Sequence, residues 1–307
     1  DNLRVLEAAR RPHRRPLVVL AMGEMGAPSR VLSLAHQCAF TYAALSAQAG
    51  ATAPGQLPSR LLRRQYRADR HSADTAVYGV IANPVGHSIS PAVHNRAFQA
   101  RRVDAVYVPF QVEERQLGDF FRLAAGLPVA GFSVTIPHKQ KVLRHLDAVD
   151  AQARRIGAVN TVYRKQGRLR GTNTDILGVT GPLGKRLKLK GSRILVIGNG
   201  GAARGAAFAL TDQGARVTLA GRSPEKVRAL ARVCGAAVIE RERLAGERFD
   251  AVVHATPLGM HPKTDETFFC GEIPAEVVFD MVYNPLETLL LKNARAQGKM
   301  VITGLEM

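Results

Sequence analysis

Apolar and polar positions divide the central part of the chain into short strands and amphipathic helices. Single-residue alternation predicts strands over VYGVIA (77–82), AVYVPF (105–110) and GFSVTIP (131–137). The segments between them, 90–102 and 116–127, carry apolar residues at helical spacing. Strands that alternate with helices in this way predict βαβ units and a mostly parallel sheet.

A second series of the same kind begins near residue 190. Its predicted strands are RILVIG (193–198), RVTLAGR (216–222), DAVVHAT (250–256) and VVFDMVY (277–283). A basic, weakly apolar connector at 60–75 precedes both series. We therefore predict α/β domains at 76–178 and 179–284, with residues 285–307 starting a return of the chain to the first of them.

The first 66 residues have a different pattern. A helix is predicted over NLRVLEAAR (2–10), and the apolar run LVVLAM (17–22) follows. A long helical stretch, RVLSLAHQCAFTYAALSAQ (30–48), leads into the loop ATAPGQLPS (51–59). These residues are expected to form a separate unit at 1–66.

Composition indicates a globular protein. Hydrophobic residues make up 46% of the chain and charged residues 22%, and no apolar run reaches the ~18 residues of a membrane span. Cys38, Cys234 and Cys270 are far apart and show no CxxC spacing, which favours a reducing compartment over a disulfide framework or a zinc site. We expect no metal, no membrane partner and a cytoplasmic location, or a plastid location if the parent chain is from a plant.

The formal net charge of +18 is large. Positive fields attract nucleic acids and small anions alike. The sequence contains no DNA- or RNA-binding motif, and aromatic residues make up only 6% of it, so stacking surfaces are scarce. The charge therefore favours a small-molecule anionic ligand over nucleic acid. It gives no indication of the oligomeric state.

A glycine-rich turn follows the strand RILVIG. Gly198, Gly200 and Ala203 form a GxGxxA arrangement between a predicted strand and a predicted helix. In this arrangement the first glycine permits a tight turn, the second lets the backbone approach a pyrophosphate, and the alanine keeps the helix close to the sheet. The pattern predicts a dinucleotide site of Rossmann type, lined by Gly198, Asn199, Gly200, Gly201, Ala202, Ala203 and Arg204.

The end of the next strand indicates which dinucleotide binds. An NAD site usually offers Asp or Glu there for the ribose hydroxyls. This chain has Arg222, Ser223 and Lys226 instead. These groups suit a 2′-phosphate, because a guanidinium matches its oxygens as a fork. The sequence therefore predicts NADP as the cofactor.

Four segments of the first α/β domain place polar residues where strands end. They are NPVGHSISPAVHN (83–95), SVTIPHK (133–139), GAVNTV (157–162) and GTNTDILG (171–178). Any one of them could be an ordinary turn, since Asn, Ser, Thr and Asp are common turn and cap residues. Ligands of open α/β sheets bind outside the carboxyl ends of strands, so the combination predicts a site.

These segments, followed by IGNGGAAR, AGRS and ATPLGM, resemble shikimate dehydrogenase in order and spacing over roughly residues 76–307. The resemblance implies a substrate-binding α/β domain at 76–178 and a Rossmann-type NADP-binding domain at 179–284, flanking a cleft. It implies NADP-dependent reduction of 3-dehydroshikimate to shikimate, a step on the route to chorismate and aromatic amino acids.

The resemblance also implies roles for individual residues. Lys139 and Asp175 would be the catalytic pair. Substrate contacts would come from Ser88, Ser90, Ser133, Thr135, Asn160 and Tyr283. Further cofactor contacts would come from Thr256, Met281 and Gly304.

The chemistry of ketone reduction gives independent support for Lys139. Reduction needs a hydride at carbon, which NADPH supplies, and a proton at oxygen, which a positioned acid supplies. A lysine in the first helical turn after Pro137 would lie near the positive helix end, which disfavours its charged form and eases proton transfer. Asp175 would accept a substrate hydroxyl and orient the Lys139 ammonium. His138 is the rival acid, but an exposed histidine at a helix start is the commoner case.

Two departures from the family pattern stand out. Ser133 occupies the position where the family usually has Asn, so a substrate hydrogen bond would be lost or relayed through water. The chain also stops at TGLEM, where the family continues into a helix with a substrate-contacting glutamine. Weak substrate binding, or none, is the expected consequence.

The first sixty residues resemble the C-terminal end of type I 3-dehydroquinate dehydratase, a TIM barrel, through MGxxGxxSR, a TYA helix and the APGQ loop. The resemblance implies that Arg30 binds the substrate carboxylate and that Gln56 lies in the lid loop. The Schiff-base lysine and the histidine of that family would lie on earlier strands. We therefore interpret residues 1–66 as a barrel remnant, inactive by itself, from a bifunctional dehydratase–dehydrogenase.

Three alternatives stay open. A quinate or quinate/shikimate dehydrogenase is disfavoured by Ser90, since quinate users often have Thr there. A catalytically silent NADP-binding regulatory relative is disfavoured by Lys139 and Asp175. A basic nucleic-acid binder lacks a motif.

Overall fold

Two six-stranded sheets organise the chain, one in each of two units. The computed structural model describes residues 2–46, 52–86, 88–125 and 128–307. The first unit comprises residues 1–150 and 159–171, and the second comprises residues 151–158 and 172–307.

Among its described residues, the first unit contains five α-helices, six strands and several short helical turns. Its helices are α1 (Asn2–Ala9), α2 (Ala27–Leu32), α3 (Ser59–Leu61), α4 (Ser90–Ala100) and α5 (Leu117–Ala125). Its strands are β1 (Ala76–Ala82), β2 (Ala105–Gln111), β3 (Val129–Val134), β4 (Ala148–Val149), β5 (Thr161–Lys165) and β6 (Arg168–Thr172). Its 3₁₀ turns are Glu24–Gly26, Leu34–His36, Ala68–Arg70, Glu114–Gln116 and Lys141–His145, and Leu62–Tyr66 forms a π-helical turn.

The first sheet has the strand order β2-β1-β3-β5-β6-β4. Strand β1 runs parallel to β2 and to β3, whereas β5 runs antiparallel to β3. On β3, Ser133 lies between Val80 of β1 and Thr161 of β5. Parallel pairing places the carboxyl ends of β1, β2 and β3 at one edge, where a ligand of an open sheet binds.

An aromatic cluster fills the core of the first unit. Phe110, Phe120 and Phe132 are buried with ring centroids 5.1–5.9 Å apart. Buried Asn95 of α4 is bonded to Tyr107 of β2 in both directions, donating to its carbonyl at 2.8 Å and accepting from its amide at 2.9 Å. This exchange fixes α4 on the sheet without leaving the amide side chain unpaired.

The segment before β1 packs on the first sheet's helices and strands. Helix α1 contacts α5, and α2 contacts β2. Gln99 of α4 donates to the carbonyl of Gln65 at 2.7 Å. The helix predicted over 30–48 is wrong beyond residue 36, because Gln37 adopts a left-handed conformation with φ 67° and the described residues after it are not helical.

The second unit contains five helices and six strands. Its helices are α6 (Ala151–Ile156), α7 (Asp175–Gly184), α8 (Gly201–Asp212), α9 (Pro224–Cys234) and α10 (Leu289–Ala296), with a 3₁₀ turn at Arg241–Leu244. Its strands are β7 (Arg193–Ile197), β8 (Arg216–Ala220), β9 (Ala237–Val238), β10 (Phe249–His254), β11 (Ala275–Asp280) and β12 (Met300–Ile302).

The second sheet is parallel throughout, with the order β12-β11-β10-β7-β8-β9. This is the doubly wound order of dinucleotide-binding folds, in which the ligand lies outside the carboxyl ends of the strands where the order reverses. Here the reversal falls between β7 and β10. The four residues Ile194–Ile197 of β7 are completely buried, as a strand covered on both faces requires.

The division of the chain differs from the predicted boundaries in four respects. Residues 1–66 were expected to form a separate unit but belong to the first unit, and residues 151–158 were expected in the first domain but belong to the second unit. Residues 172–178 were expected in the first domain but belong to the second unit. Residues 285–307 were expected to start a return to the first domain, yet they also belong to the second unit. The reason is that β12 pairs with β11 as the last strand of the second sheet.

Within the described ranges, none of the helices combines the length and the apolar character that crossing a membrane would require.

Candidate active site and cofactor site

Backbone hydrogen bonds bring three predicted site segments together at one edge of the first sheet. The amide of Asn83, after β1, donates to the carbonyl of Ile136 at 3.1 Å. The amide of Val134, at the end of β3, donates to Asn160 at 2.7 Å. The amide of Val159 donates to the carbonyl of Lys139, also at 2.7 Å. Lys139 and Asn160 are therefore held on neighbouring segments of one rigid frame.

The remaining predicted substrate residues of this unit flank that frame. Ser133 and Thr135 are half-buried on β3 and just after it. Ser90 begins α4, and its amide donates to Ser88 Oγ at 3.3 Å. Both serines are half-buried. His87, which stands between Gly86 and Ser88 in the same predicted motif, lies outside the described residues.

The predicted position of Lys139 in a first helical turn is wrong. Residues 136–140 form a turn, and the helix that follows is a short 3₁₀ segment that begins only at Lys141. Strand β3 ends at Val134, before Pro137, and the amide of His138 donates to the carbonyl of Thr135 at 2.8 Å in the turn that follows. Lys139 is half-buried in that turn, and the helix-end argument does not apply to it.

His138 is completely buried, contrary to the exposed position expected for it. Its Nε2 donates to the carbonyl of Val112 at 2.7 Å. Burial lowers the pKa of the His138 imidazole, and the bond to Val112 and the charge of Glu114 only partly oppose this. A buried, neutral imidazole is a poor proton donor at neutral pH, which leaves Lys139 as the better candidate acid.

The glycine-rich turn of the second unit has the geometry that a dinucleotide needs. Gly198 has φ +126°, and a Cβ atom there would lie 2.9 Å from the carbonyl oxygen of Ala255 and 3.3 Å from Ala203 Cβ. Ala203 is completely buried against the sheet. Gly200 is exposed with open space where a side chain would be, directly before the N-terminus of α8. A helix N-terminus favours an anion through its amides and its dipole, and pyrophosphate binding at this turn stays a prediction.

Arg204 makes its described contacts within the second unit. Its Nε donates to the carbonyl of Ile156 at 2.5 Å, and its guanidinium lies where a side chain at Gly157 would be. Burial lowers the pKa of Arg204. The Arg204 side chain is thus bonded to the backbone of its own unit, and its contact with the cofactor stays a prediction.

Arg222 and Lys226 lie beyond the end of β8, next to the glycine-rich turn. Gly198 donates from its amide to Ala220 at 2.8 Å, which joins the tips of β7 and β8. Neither cation is buried, and among the described residues no carboxylate lies within ion-pair distance of either. Ser223 is the residue directly before α9, at its N-cap position. These unpaired charges match the site predicted for a 2′-phosphate.

Asp175 is the first residue of α7 and is 7% exposed. Its amide donates to Asn173 Oδ1 at 3.1 Å, and Asn173 Nδ2 donates to Ala158 at 2.9 Å. These bonds fix the loop that carries the carboxylate. The pairing of Asp175 with Lys139 stays a prediction, since the two residues belong to different units.

The other predicted residues of the second unit lie on loops after β10, β11 and β12. Thr256, Met281 and Tyr283 are half-buried. A Cβ atom at Gly304 would lie 2.6 Å from the carbonyl oxygen of Val282. Only glycine allows that approach, so Gly304 holds the end of β12 against the loop after β11.

Sequence reasoning missed a buried polar pair in this unit. His254 and Asp280, the last residues of β10 and β11, are 1% and 0% exposed, and His254 Nδ1 lies 2.9 Å from Asp280 Oδ1. The signal in the sequence was a polar residue at the end of each of two apolar strands, in AVVHAT and VVFDMV.

Arg30 and Gln56 both lie in the N-terminal segment that precedes β1. Arg30 is 1% exposed, and its Nε has no hydrogen-bond partner among the described residues. Burial lowers its pKa. Gln56 Oε1 accepts from the amide of Thr52 at 2.9 Å, closing the predicted lid loop on itself. A buried guanidinium with an unused donor is suited to an anionic ligand.

Among the residues that the structure describes, no group of three or more His, Cys, Asp or Glu side chains is placed to hold a metal ion.

Family comparisons agree with this arrangement. The family model described as the shikimate dehydrogenase substrate binding domain matches residues 80–162. The model described as shikimate / quinate 5-dehydrogenase matches residues 183–258. Residues 1–73 match the model described as type I 3-dehydroquinase.

Individual relatives extend the similarity across both units. The shikimate dehydrogenase (NADP(+)) of Bacillus cereus strain B4264 is 40% identical over 242 residues, which are 75% of this chain and 87% of the relative. A shikimate dehydrogenase solved with NADP+ is 37% identical with a TM-score of 0.71, covering 76% of this chain and 86% of that one. The Thermus thermophilus enzyme solved with NADP(H) and shikimate is 35% identical with a TM-score of 0.69, covering 75% and 88%. This chain therefore belongs to the shikimate dehydrogenase family.

Proposed function

We propose that the chain catalyses the NADP-dependent interconversion of 3-dehydroshikimate and shikimate, a step in the biosynthesis of chorismate and the aromatic amino acids. The observation that carries the proposal is the frame at the edge of the first sheet. There, two 2.7 Å backbone bonds tie the Lys139 turn and the end of β3 to the Val159–Asn160 segment. The frame occurs in a chain whose relatives include shikimate dehydrogenases solved with NADP and with shikimate.

Bound NADPH supplies the hydride for the ketone carbon. Lys139 donates the proton to the ketone oxygen and takes it back in the reverse direction, as a general acid and base. Asp175 accepts a hydrogen bond from a substrate hydroxyl. Ser88, Ser90, Ser133, Thr135, Asn160 and Tyr283 orient the remaining hydroxyls and the carboxylate.

The second unit holds the cofactor in this proposal. The Gly198–Arg204 turn and the N-terminus of α8 bind the pyrophosphate. Arg222, Ser223 and Lys226 bind the 2′-phosphate and so select NADP over NAD. Thr256, Met281 and Gly304 line the nicotinamide side.

The test is a substrate and cofactor panel on the 307-residue chain. Shikimate and quinate are each offered with NADP+ and with NAD+, and dinucleotide reduction is followed by absorbance. The proposal expects the fastest reduction with shikimate and NADP+. Faster turnover of quinate would identify the quinate-using alternative. Turnover of neither substrate by this chain or by the parent chain, with NADP+ binding intact, would identify the silent regulatory alternative.

The N-terminal match extends the proposal to the parent chain. Residues 1–73 match type I 3-dehydroquinase, and that reaction, loss of water from 3-dehydroquinate, forms the substrate of the dehydrogenase. A parent carrying both activities should dehydrate 3-dehydroquinate, and Arg30→Ala in that parent should abolish the dehydration while sparing shikimate oxidation. A parent that leaves 3-dehydroquinate unchanged would limit the proposal to the dehydrogenase.

A further inference from the structure

The buried pair formed by His254 and Asp280 belongs to a longer hydrogen-bonded chain. On its other side, His254 Nε2 lies 2.5 Å from the hydroxyl of Thr256. Asp280 Oδ2 accepts from the hydroxyl of Thr288 at 2.6 Å, and Oδ1 also accepts from the amide of Val282 at 3.0 Å. The chain runs along the carboxyl edge of the second sheet, where β10 and β11 place His254 and Asp280 in register.

The partners of each group fix the positions of the protons. Both oxygens of Asp280 accept hydrogen bonds, from the amide of Val282 and the hydroxyl of Thr288. An ionised carboxylate can only accept, so the imidazole donates to it from Nδ1. In a neutral imidazole the other nitrogen is then an acceptor. The hydroxyl of Thr256 therefore donates to His254 Nε2. Its oxygen also accepts from the amide of Leu258 at 3.3 Å.

This arrangement leaves one lone pair of the Thr256 oxygen for a ligand. The Thr256 side chain borders the glycine-rich turn, since its methyl group would lie 3.2 Å from a Cβ atom at Gly198. Thr256 is half-buried, whereas His254 is 1% exposed. The ligand would thus meet the threonine oxygen as an acceptor and would not reach the histidine.

We propose that His254, held by Asp280, is a positioning residue that orients the Thr256 hydroxyl as a hydrogen-bond acceptor for a donor group of the bound dinucleotide. The inference rests on the proposed function, because it assumes that a dinucleotide binds at this turn. The donor is either the carboxamide of the nicotinamide or a ribose hydroxyl. Both groups donate a hydrogen bond, but only the carboxamide is lost when the nicotinamide ring is removed.

Substitutions can separate the two hydrogen bonds of the His254 ring, one with Asp280 and one with Thr256. In His254→Asn the side-chain amide can still donate to Asp280 but is too short to reach Thr256. Thr256→Val removes the hydroxyl and keeps the shape. We expect each variant of the full chain to weaken NADP+ binding up to about tenfold, the scale of one net hydrogen bond. The double variant should bind no more weakly than Thr256→Val alone. Thr211→Val is the matched control, because that hydroxyl donates only to Ala207 within α8, and its NADP+ affinity should be unchanged.

A dinucleotide analogue that lacks the nicotinamide ring identifies the donor. If the carboxamide is the donor, the analogue should bind wild-type chain and Thr256→Val equally well. If a ribose hydroxyl is the donor, the difference between the two should persist.

A second measurement needs no variant. Nitrogen-15 NMR of histidine-labelled wild-type chain, with His254 assigned from its backbone, should show a proton on Nδ1 and none on Nε2. A proton on Nε2 overturns the inference, as does additive loss in the double variant or unchanged NADP+ affinity in His254→Asn. Failure of the wild-type chain to bind any NADP+ would instead overturn the cofactor assignment, and this inference with it.

Discussion

His138 is bonded through its side chain to Val112, 26 residues away along the chain, at 2.7 Å. Val112 in turn donates from its amide to Ala82 at the end of β1. The backbone of His138 accepts from Lys141 and Val142 at 2.9 and 3.0 Å. The turn that carries Lys139 is therefore fixed to the carboxyl edge of the first sheet through the residue beside it.

We predict that this anchor affects catalysis. His138→Phe keeps an aromatic ring, larger than imidazole, but leaves the buried carbonyl of Val112 without a donor, and the turn should move to relieve that cost. Displacement of a catalytic group by about 1 Å can lower turnover by up to ~10²-fold, so kcat for shikimate oxidation should fall several-fold to about tenfold. His138→Gln retains a donor and should lose less. Equal kcat values for wild type and His138→Phe would show that the anchor does not position Lys139.

The same residue predicts a pH-dependent contribution to stability. Burial lowers the pKa of His138 in the folded chain, whereas in the unfolded chain it titrates near its ordinary value of about 6.5. Below that pH the unfolded state binds the additional proton, so this group lowers the free energy of unfolding as the pH falls. Denaturant unfolding at pH 7.5 and pH 5.0 should show a smaller decrease for His138→Phe and for His138→Gln than for wild type. Parallel decreases in all three chains would contradict the prediction.

Local pattern predicted most strands and helices because their burial follows a regular period. It failed where a distant partner or a single backbone conformation decides the outcome. The burial of His138 depends on a carbonyl 26 residues away, which no local window contains. The helix predicted over 30–48 had the right spacing of apolar residues, yet Phe40 and Leu45 are 51% and 85% exposed. Their spacing therefore did not arise from packing in this unit.

The candidate site was predictable where its residues directly follow a predicted strand. The turn at Gly198 requires glycine, so its position followed from the sequence. The pairing of His254 with Asp280 did not follow, because it requires knowing that β10 and β11 are neighbours in register.

Replacement of the proposed acid should separate chemistry from binding. In Lys139→Ala, kcat should fall by ~10² or more, the scale of a lost general acid, with little change in the KM for shikimate. Lys141→Ala is the matched control, since Lys141 lies two residues further on and pairs with Glu114. Steady-state kinetics at saturating NADP+ measures both. Retention of kcat in Lys139→Ala would exclude Lys139 as the acid.

Cofactor selection should depend on Arg222. A hydrogen bond to a charged group contributes roughly 1.5–3 kcal/mol, so Arg222→Ala should weaken NADP+ binding about tenfold to a hundredfold and leave NAD+ binding nearly unchanged. Arg216→Ala is the control, because Arg216 is an exposed arginine at the opposite end of β8. Titration of both dinucleotides into each variant gives the dissociation constants. Equal weakening of NADP+ and NAD+ would remove the argument for 2′-phosphate recognition.

Substitution of Ser133 by Asn should raise the affinity for the substrate. It lies half-buried on β3 between Val80 and Thr161, at the position where the family pattern has Asn. The longer amide of Ser133→Asn can donate and accept at once, and one added net hydrogen bond corresponds to at most about a tenfold gain. The KM for shikimate should therefore fall several-fold while kcat stays within a factor of about two.

Ser133→Ala distinguishes the two explanations for the present serine. An unchanged KM means that its hydroxyl does not contact substrate, and a raised KM means that it does so directly or through water. A KM that rises in Ser133→Asn would show that β3 has no room for the amide, and the serine would then be an adaptation of this strand.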